Sequence, residues 1–136
     1  MEKVNKIGWS LELQARLQAE GFLPHIIEEI KRDCAMGRGE IYQAGELIII
    51  SRVDALPSGG HEVVWVASLG RGLKKWAQRF YDAAARAGAT YIRFHVDESD
   101  KREKLLLKLI KSWKPFKIEW QTNDADMGVY RVKLGG

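Results

Sequence analysis

Basic side chains crowd the place where the sequence predicts that a helix begins. Arg71, Lys74 and Lys75 lie at or just before the first turn of a helix whose apolar spacing starts after Gly72. The first N–H groups of a helix lack partners, and the helix dipole makes this end positive. Cations there cost stability unless an anion lies among them. The pattern therefore indicates either a phosphate site or basic side chains that point sideways into solvent.

The elements that must position these cations form a predicted βαβ unit. Residues 61–67 are predicted as a mostly buried strand, Gly70 and Gly72 mark the connection, and residues 91–96 are predicted as the next strand. Because a long helix crosses between the two strands, we expect them to be parallel in one sheet. The apolar residues of the helix recur at three- and four-residue steps: Leu73, Trp76, Ala77, Phe80, Ala84 and Ala87.

The preceding residues predict two helices and an antiparallel meander. Ser10 is a plausible N-cap for the first helix, and Pro24 suits the first turn of the second. Residues 4–7 fit either a short edge strand or a docked tail. In the meander, the run 47–50 is apolar on both sides, which predicts helices on both faces of the sheet.

The C-terminal third predicts one more helix and a final strand pair. Asp100 and Glu103 have capping-box spacing. Residues 116–121 and 129–134 then alternate apolar and polar side chains, as strands do. No linker or repeat interrupts the pattern, so residues 1–136 are predicted to form one domain. The predicted inner face of the last helix consists of Leu105, Leu106, Leu109, Ile110 and Trp113.

Composition limits the partners only broadly. The net charge of +4 fits a polyanionic partner or a phosphorylated cofactor, but is too small to indicate DNA binding. A single cysteine, Cys34, cannot form an internal disulfide, which favours a reducing cytoplasm. No run is long enough to span a membrane, and the N-terminus has no signal-peptide pattern. We therefore expect a cytoplasmic protein without a membrane partner.

The order of the predicted elements resembles that of the GNAT family of N-acetyltransferases. The resemblance covers nearly the whole chain, and its best local match is the segment from Val64 to Val96. It implies an α/β (α+β) fold, with a mixed, mostly antiparallel sheet, helices on both faces and a central βαβ unit. It also implies acetyl-CoA as cofactor and transfer of the acetyl group to an amine.

The resemblance implies a cofactor site where the strand before the central helix separates from its neighbour. In the family, the loop and helix start that follow this strand hold the pyrophosphate of acetyl-CoA. The corresponding residues here are Ala67, Leu69, Gly70, Arg71, Gly72, Leu73, Lys74 and Lys75.

The sequence also departs from the family pattern. The family loop reads Arg/Gln-x-x-Gly-x-Gly/Ala. If Arg71 is the first residue of this motif, Lys74 and Trp76 occupy the positions of its two small residues. On the helical stripe, Trp76 is expected to be a core residue. Residues 104–114 lack the tyrosine that protonates the departing thiolate in the family. The chain is also similar to short acetyltransferase-like proteins of tailed phages. The alternative function is therefore a non-catalytic protein, in the host cytoplasm or the virion, that binds a protein or nucleic acid.

Acetyl transfer needs a base for the amine and an acid for the sulfur. Glu62 is the predicted base, with His61 as the alternative, and Tyr130 is the candidate acid. Each also has a structural interpretation, as a strand-end or packing residue. His95 either faces the cleft or is a buried structural histidine. The other histidine, His25, is far from both in sequence and Cys34 has no partner at ligand spacing, so no metal site is predicted.

Overall fold

The computed structural model describes residues 4–96, 104, 107–108, 111, 118–124 and 127–134. Ten complete helices and strands lie in this part of the chain. In chain order they are β1 (Val4–Ile7), α1 (Leu11–Ala19), α2 (Pro24–Ala35), β2 (Gly39–Ala44), β3 (Leu47–Ala55), β4 (His61–Leu69), α3 (Leu73–Arg86), β5 (Tyr91–Val96), β6 (Ile118–Asp124) and β7 (Met127–Lys133).

All seven of these strands form one mixed sheet in the order β1-β2-β3-β4-β5-β7-β6. Only β4 and β5 are parallel, and every other neighbouring pair is antiparallel. Helix α3 connects β4 to β5, so the predicted βαβ unit is confirmed. The α/β (α+β) class with a mostly antiparallel sheet is confirmed as well. Of the two alternatives for residues 4–7, the structure has the edge strand, because Val4 pairs with Ala44 of β2.

Apolar residues of β3 pack on both faces of the sheet. Ile48 and Ile50 join the cluster formed with α1 and α2, whereas Leu47 and Ile49 join the cluster under α3. Successive side chains of a strand point to opposite faces, so this run has to be apolar throughout. The predicted cover of helices on both faces is therefore confirmed.

The two N-terminal helices begin as their sequences predict. The Ser10 hydroxyl accepts the N–H of Leu13 at 3.1 Å, which caps α1. Pro24 occupies the first turn of α2. Cys34, near the end of α2, is half-buried; burial and the neighbouring Asp33 raise the pKa of its thiol. A raised pKa keeps the thiol protonated at neutral pH and makes it a poor nucleophile.

The apolar stripe of α3 differs from the prediction at its C-terminal end. Trp76, Ala77 and Ala84 are buried as expected, so Trp76 is a core residue. Tyr81, which the predicted stripe leaves out, is also fully buried. Ala87 is exposed, because α3 ends at Arg86 and Ala87 is only its C-cap.

The last predicted helix has four described residues, Lys104, Leu107, Lys108 and Lys111, and all four are helical. Leu107 is buried in the cluster under α3, which places this segment on the α3 side of the sheet. The five residues predicted for its inner face lie outside the described residues. None of the helices in the described part of the chain has the length and apolar character needed to cross a membrane.

Candidate cofactor-binding site

The two central strands separate beyond the middle of the sheet. Pairing between β4 and β5 runs only from Glu62–Tyr91 to Trp65–Phe94. Beyond that point β4 continues to Leu69 beside β3, and β5 continues to Val96 beside β7. A gap therefore opens between the C-terminal ends of β4 and β5. Within the described residues, backbone polar groups along its two edges have no ladder partner in the facing strand.

A β-bulge in β4 coincides with the start of this gap. Ser51 of β3 pairs with Trp65, but the preceding residue Ile50 pairs with Ala67, so Val66 is the extra residue. A bulge bends its strand and increases the local twist. We attribute the separation of β4 from β5 to this bend, because the regular parallel pairing ends directly before Val66.

The loop between β4 and α3 depends on two glycines in the left-handed region. Gly70 has φ of 87° and Gly72 has φ of 105°. Gly70 also lies against the β2–β3 turn, where a Cβ atom would overlap the carbonyl oxygen of Glu46. Only glycine satisfies both conditions at this position. The loop therefore brings the start of α3 to the end of β4, beside the gap.

The N-terminus of α3 has the properties of an anion site. Its N-cap is Gly72, which has no side chain to accept a first-turn N–H, and the first turn contains no acidic residue. The side chains of Arg71 and Lys75 are exposed at this end. Unsatisfied amides, the positive end of the helix dipole and nearby cations together favour a phosphate.

The eight predicted cofactor residues follow one another from the end of β4, through the loop, into the first turn of α3. Ala67 and Leu69 bury their side chains in the α1–α2 cluster, so only their backbone borders the gap. Gly70, Arg71 and Gly72 form the exposed loop, followed by the first three helical residues, Leu73, Lys74 and Lys75. The Nζ atom of Lys75 lies 5.1 Å from the centroid of the Trp76 ring.

Glu62 lies at the other end of β4, where two arginines bind it. Its side chain is 3% exposed, and its Oε1 lies 2.8 Å from Nη1 of Arg93. Its Oε2 accepts a hydrogen bond from Nε of Arg131 at 3.1 Å. A buried carboxylate with both oxygens paired has a structural role here, because it ties β4 to β5 and β7. That Glu62 is the general base stays a prediction.

These contacts belong to a longer row of charged side chains across the α1–α2 face. Arg93 Nη2 lies 3.2 Å from Asp54 Oδ2, and Arg52 Nε lies 2.9 Å from Asp54 Oδ1. Arg52 also approaches Asp33 at 3.7 Å, and Asp33 pairs with Arg38 at 2.7 Å. Burial lowers the pKa of Arg52, but its contacts with Asp54 and Asp33 outweigh burial and raise it. We call this set the ion-pair row: Arg38, Asp33, Arg52, Asp54, Arg93, Glu62 and Arg131.

His61 and Tyr130 lie at different distances from the gap. His61 is the first residue of β4, and its carbonyl accepts the N–H of Thr90 at 2.9 Å. It therefore lies at the end of the strand opposite the gap. Tyr130 of β7 pairs with Phe94, the last partner of β4, and the two rings stack with centroids 5.7 Å apart. By register, Tyr130 is the predicted catalytic residue closest to the gap.

His95 directly borders the gap. It follows Phe94 on β5 and pairs with Val129 on the β7 side, while β4 has already separated. Because Phe94 faces the α3 cluster, His95 points to the α1–α2 face, and it is half-buried there. The alternation of apolar and polar residues along β5 was the sequence signal for this orientation. No turn residue or glycine marks the bulge at Val66, which sequence reasoning missed.

Solved structures of acetyltransferases have the same architecture across nearly the whole chain. A GNAT-family acetyltransferase from Bacillus cereus ATCC 10987 covers 98% of this chain and 99% of its own, with a TM-score of 0.60 and 13% identity. An acetyltransferase from Bacillus subtilis, in complex with CoA, covers the same shares of the two chains, with a TM-score of 0.56 and 16% identity. The chain has the GNAT fold.

Another solved structure of this fold holds a larger ligand. Arabidopsis thaliana Naa50, in complex with the bisubstrate analogue CoA-Ac-MVNAL, covers 98% of this chain and 99% of its own. Its TM-score is 0.56 and its identity is 14%. No family model matches the sequence, and no curated protein is significantly similar to it. The similarity to these solved structures therefore concerns the fold alone.

Proposed function

We propose that the gap and the Gly70–Lys75 segment bind a CoA thioester, and that the protein transfers its acyl group to an amine. The observation that carries this proposal is the end of β4–β5 pairing at Trp65–Phe94, with an uncapped, cation-bearing helix start just beyond the C-terminal end of β4. A pyrophosphate fits the α3 amides with Arg71 and Lys75, and an extended amide-containing arm fits the unpaired strand edges. The bound thioester would supply the activated acyl group.

Two residues on opposite faces of the sheet are our candidates for the proton transfers: His95, which borders the gap, and Tyr130, one strand further away on β7. His95 is proposed to accept the proton of the amine, because imidazole is the commonest general base in enzymes and this side chain borders the gap. Tyr130 is proposed to donate a proton to the departing thiolate through its hydroxyl. Glu62 and His61 have no place in this proposal, since both lie at the far end of β4.

Thermal unfolding with CoA tests the proposal. If CoA binds with a Kd of about 1 μM, ligand at a hundred times Kd adds about 2.7 kcal/mol to the free energy of unfolding. Without ligand, Lys74→Glu/Lys75→Glu is expected to stabilise the protein, by about 0.3–1 kcal/mol per acid, because acids favour a helix N-terminus. With CoA, the same variant is expected to show no ligand-induced shift.

The matched control reverses two charges on the opposite face of the sheet. Lys31 and Arg32 are exposed on α2, so Lys31→Glu/Arg32→Glu is expected to retain the full shift with CoA. If the parent shows no shift at millimolar CoA, or the Lys74→Glu/Lys75→Glu variant shifts as the parent does, the proposed site is wrong.

A second candidate is a non-catalytic protein of this fold, including a phage virion protein, that binds nucleic acid. It is favoured by exposed cations on the α3 side of the sheet: Arg71, Lys75, Lys104 and Lys108. A labelled DNA duplex measured at several salt concentrations distinguishes the two. Binding that weakens linearly on a log–log salt plot, together with no CoA shift, would favour this candidate.

A further inference from the structure

A cavity lies on the α3 face of the sheet, beside β1–β3 rather than at the gap. Its volume is about 510 Å³, within the range of pockets that hold small organic ligands. Its floor consists of Ala44, Leu47 and Ile49 from β2 and β3, which are all buried apolar residues. Phe80 and Trp76 of α3 form an aromatic wall. The floor and this wall favour an occupant with an apolar part.

Three charged residues of α3, Arg79, Asp82 and Arg86, line this cavity without forming ion pairs with one another. Asp82 lies three residues after Arg79 and four before Arg86, positions at which ion pairs form along a helix. The structure instead has Gln78 donating to Asp82 at 3.1 Å. Within the described residues neither arginine forms an ion pair with a carboxylate, and both are exposed at the cavity.

Arg79 is held in place by the aromatic wall. Its guanidinium carbon lies 4.8 Å from the centroid of the Trp76 ring, and Trp76 is 4% exposed. A guanidinium that stacks on an aromatic ring can still donate its in-plane N–H groups to an acceptor. A cation fixed at the edge of an apolar cavity suits the planar, bidentate geometry of a carboxylate.

We propose that this cavity binds a small apolar carboxylate, with Arg79 pairing with the carboxylate group and the floor enclosing the apolar part. Arg86 adds a second positive charge, so that two cations and one acid line the cavity. The hydroxyl of Tyr42, the other polar group of the wall, donates to Glu40 and is already engaged. A cationic ligand would meet two arginines, and a polyanion without an apolar part would leave the floor unfilled.

The test uses octanoate as probe, with octylammonium and octanol as charge controls, in calorimetric titrations of the full chain. Octanoate is expected to bind at least tenfold more tightly than either control. Arg79→Gln is expected to weaken octanoate binding at least tenfold, whereas Lys31→Gln on α2 should leave it unchanged. Ala83→Leu, which adds bulk at an exposed lining position, should block binding while the circular-dichroism melt remains that of the parent.

Three results would overturn this proposal. The first is no octanoate binding by the parent. The second is equal binding of octanoate and octanol, and the third is an Arg79→Gln variant that binds octanoate as the parent does. If the parent ignores octanoate but Arg79→Gln/Arg86→Gln weakens binding to a DNA duplex, the arginines serve a nucleic acid and the proposal is wrong. The CoA titration is independent of these results, because the cavity does not include the gap.

Discussion

Replacing Gly70 with alanine is expected to lower the free energy of unfolding by about 3 kcal/mol or more. Two costs add at this position. A residue with a Cβ in the left-handed region costs about 1–3 kcal/mol, and Gly70 has φ of 87°. The new methyl group would also overlap the Glu46 carbonyl, and such overpacking costs about 1–3 kcal/mol more. Urea denaturation of parent and variant measures the sum.

Gly88→Ala is the matched control for this experiment. Gly88 has nearly the same backbone conformation, with φ of 85°, but a Cβ atom there would meet nothing within 4 Å. It should therefore cost only the conformational part, about 1–3 kcal/mol, without the added cost of overpacking. Equal losses in the two variants would show that the contact between the β4–α3 loop and the β2–β3 turn contributes nothing. Only Gly70→Ala should also weaken CoA binding, because it alone moves the loop.

Replacing Glu62 with alanine is expected to cost about 3–5 kcal/mol. The change leaves Arg93 and Arg131 side by side without the carboxylate that both contact. Removing one partner of a buried ion pair leaves an uncompensated charge, which is more costly than the pair is stabilising. The arginines are partly exposed, with 24% and 29% of their side chains accessible, so the lower end of this range is expected. Chemical denaturation at neutral pH measures the loss.

Two further variants distinguish the loss of the Glu62 charge from the general effect of a Glu→Gln substitution on stability. Glu62→Gln keeps the shape but removes the charge, and it should still cost about 1.5–3 kcal/mol, as for hydrogen bonds to charged groups. Glu28→Gln, at an exposed position of α2, should change stability by less than about 0.5 kcal/mol. A Glu62→Gln variant that is as stable as the parent but loses acyl transfer would contradict the structural role and restore the role of general base.

The ion-pair row and the gap occupy opposite ends of β4 and β5, and they have different effects on these strands. At the N-terminal ends, Arg93 and Glu62 connect the two parallel strands directly. At the C-terminal ends, the bulge at Val66 separates them. A gap in the centre of a sheet removes strand pairing and exposes backbone groups.

The sequence by itself determined where most of the described helices and strands lie and the buried side of several of them, although it left residues 4–7 open and missed Tyr81 on α3. The spacing of apolar residues repeats with the period of the backbone, so it is readable without any partner. The run Leu47–Ile50 predicted cover on both faces, and the stripe through Trp76 predicted the inner side of α3. Caps and turns such as Ser10 and Pro24 depend only on a few neighbouring residues.

Only the tertiary structure decided which polar residues meet. Glu62 looked like an accessible strand-end carboxylate, but its partner Arg131 lies 69 residues further along the chain. Contacts of this kind follow from strand order and register, and a shift by one residue would turn each side chain to the other face. The gap is also a property of the assembled sheet, because the extra residue Val66 exists only relative to β3. The local pattern therefore predicted the loop and the basic helix start, whereas pairing between distant strands placed the opening beside them.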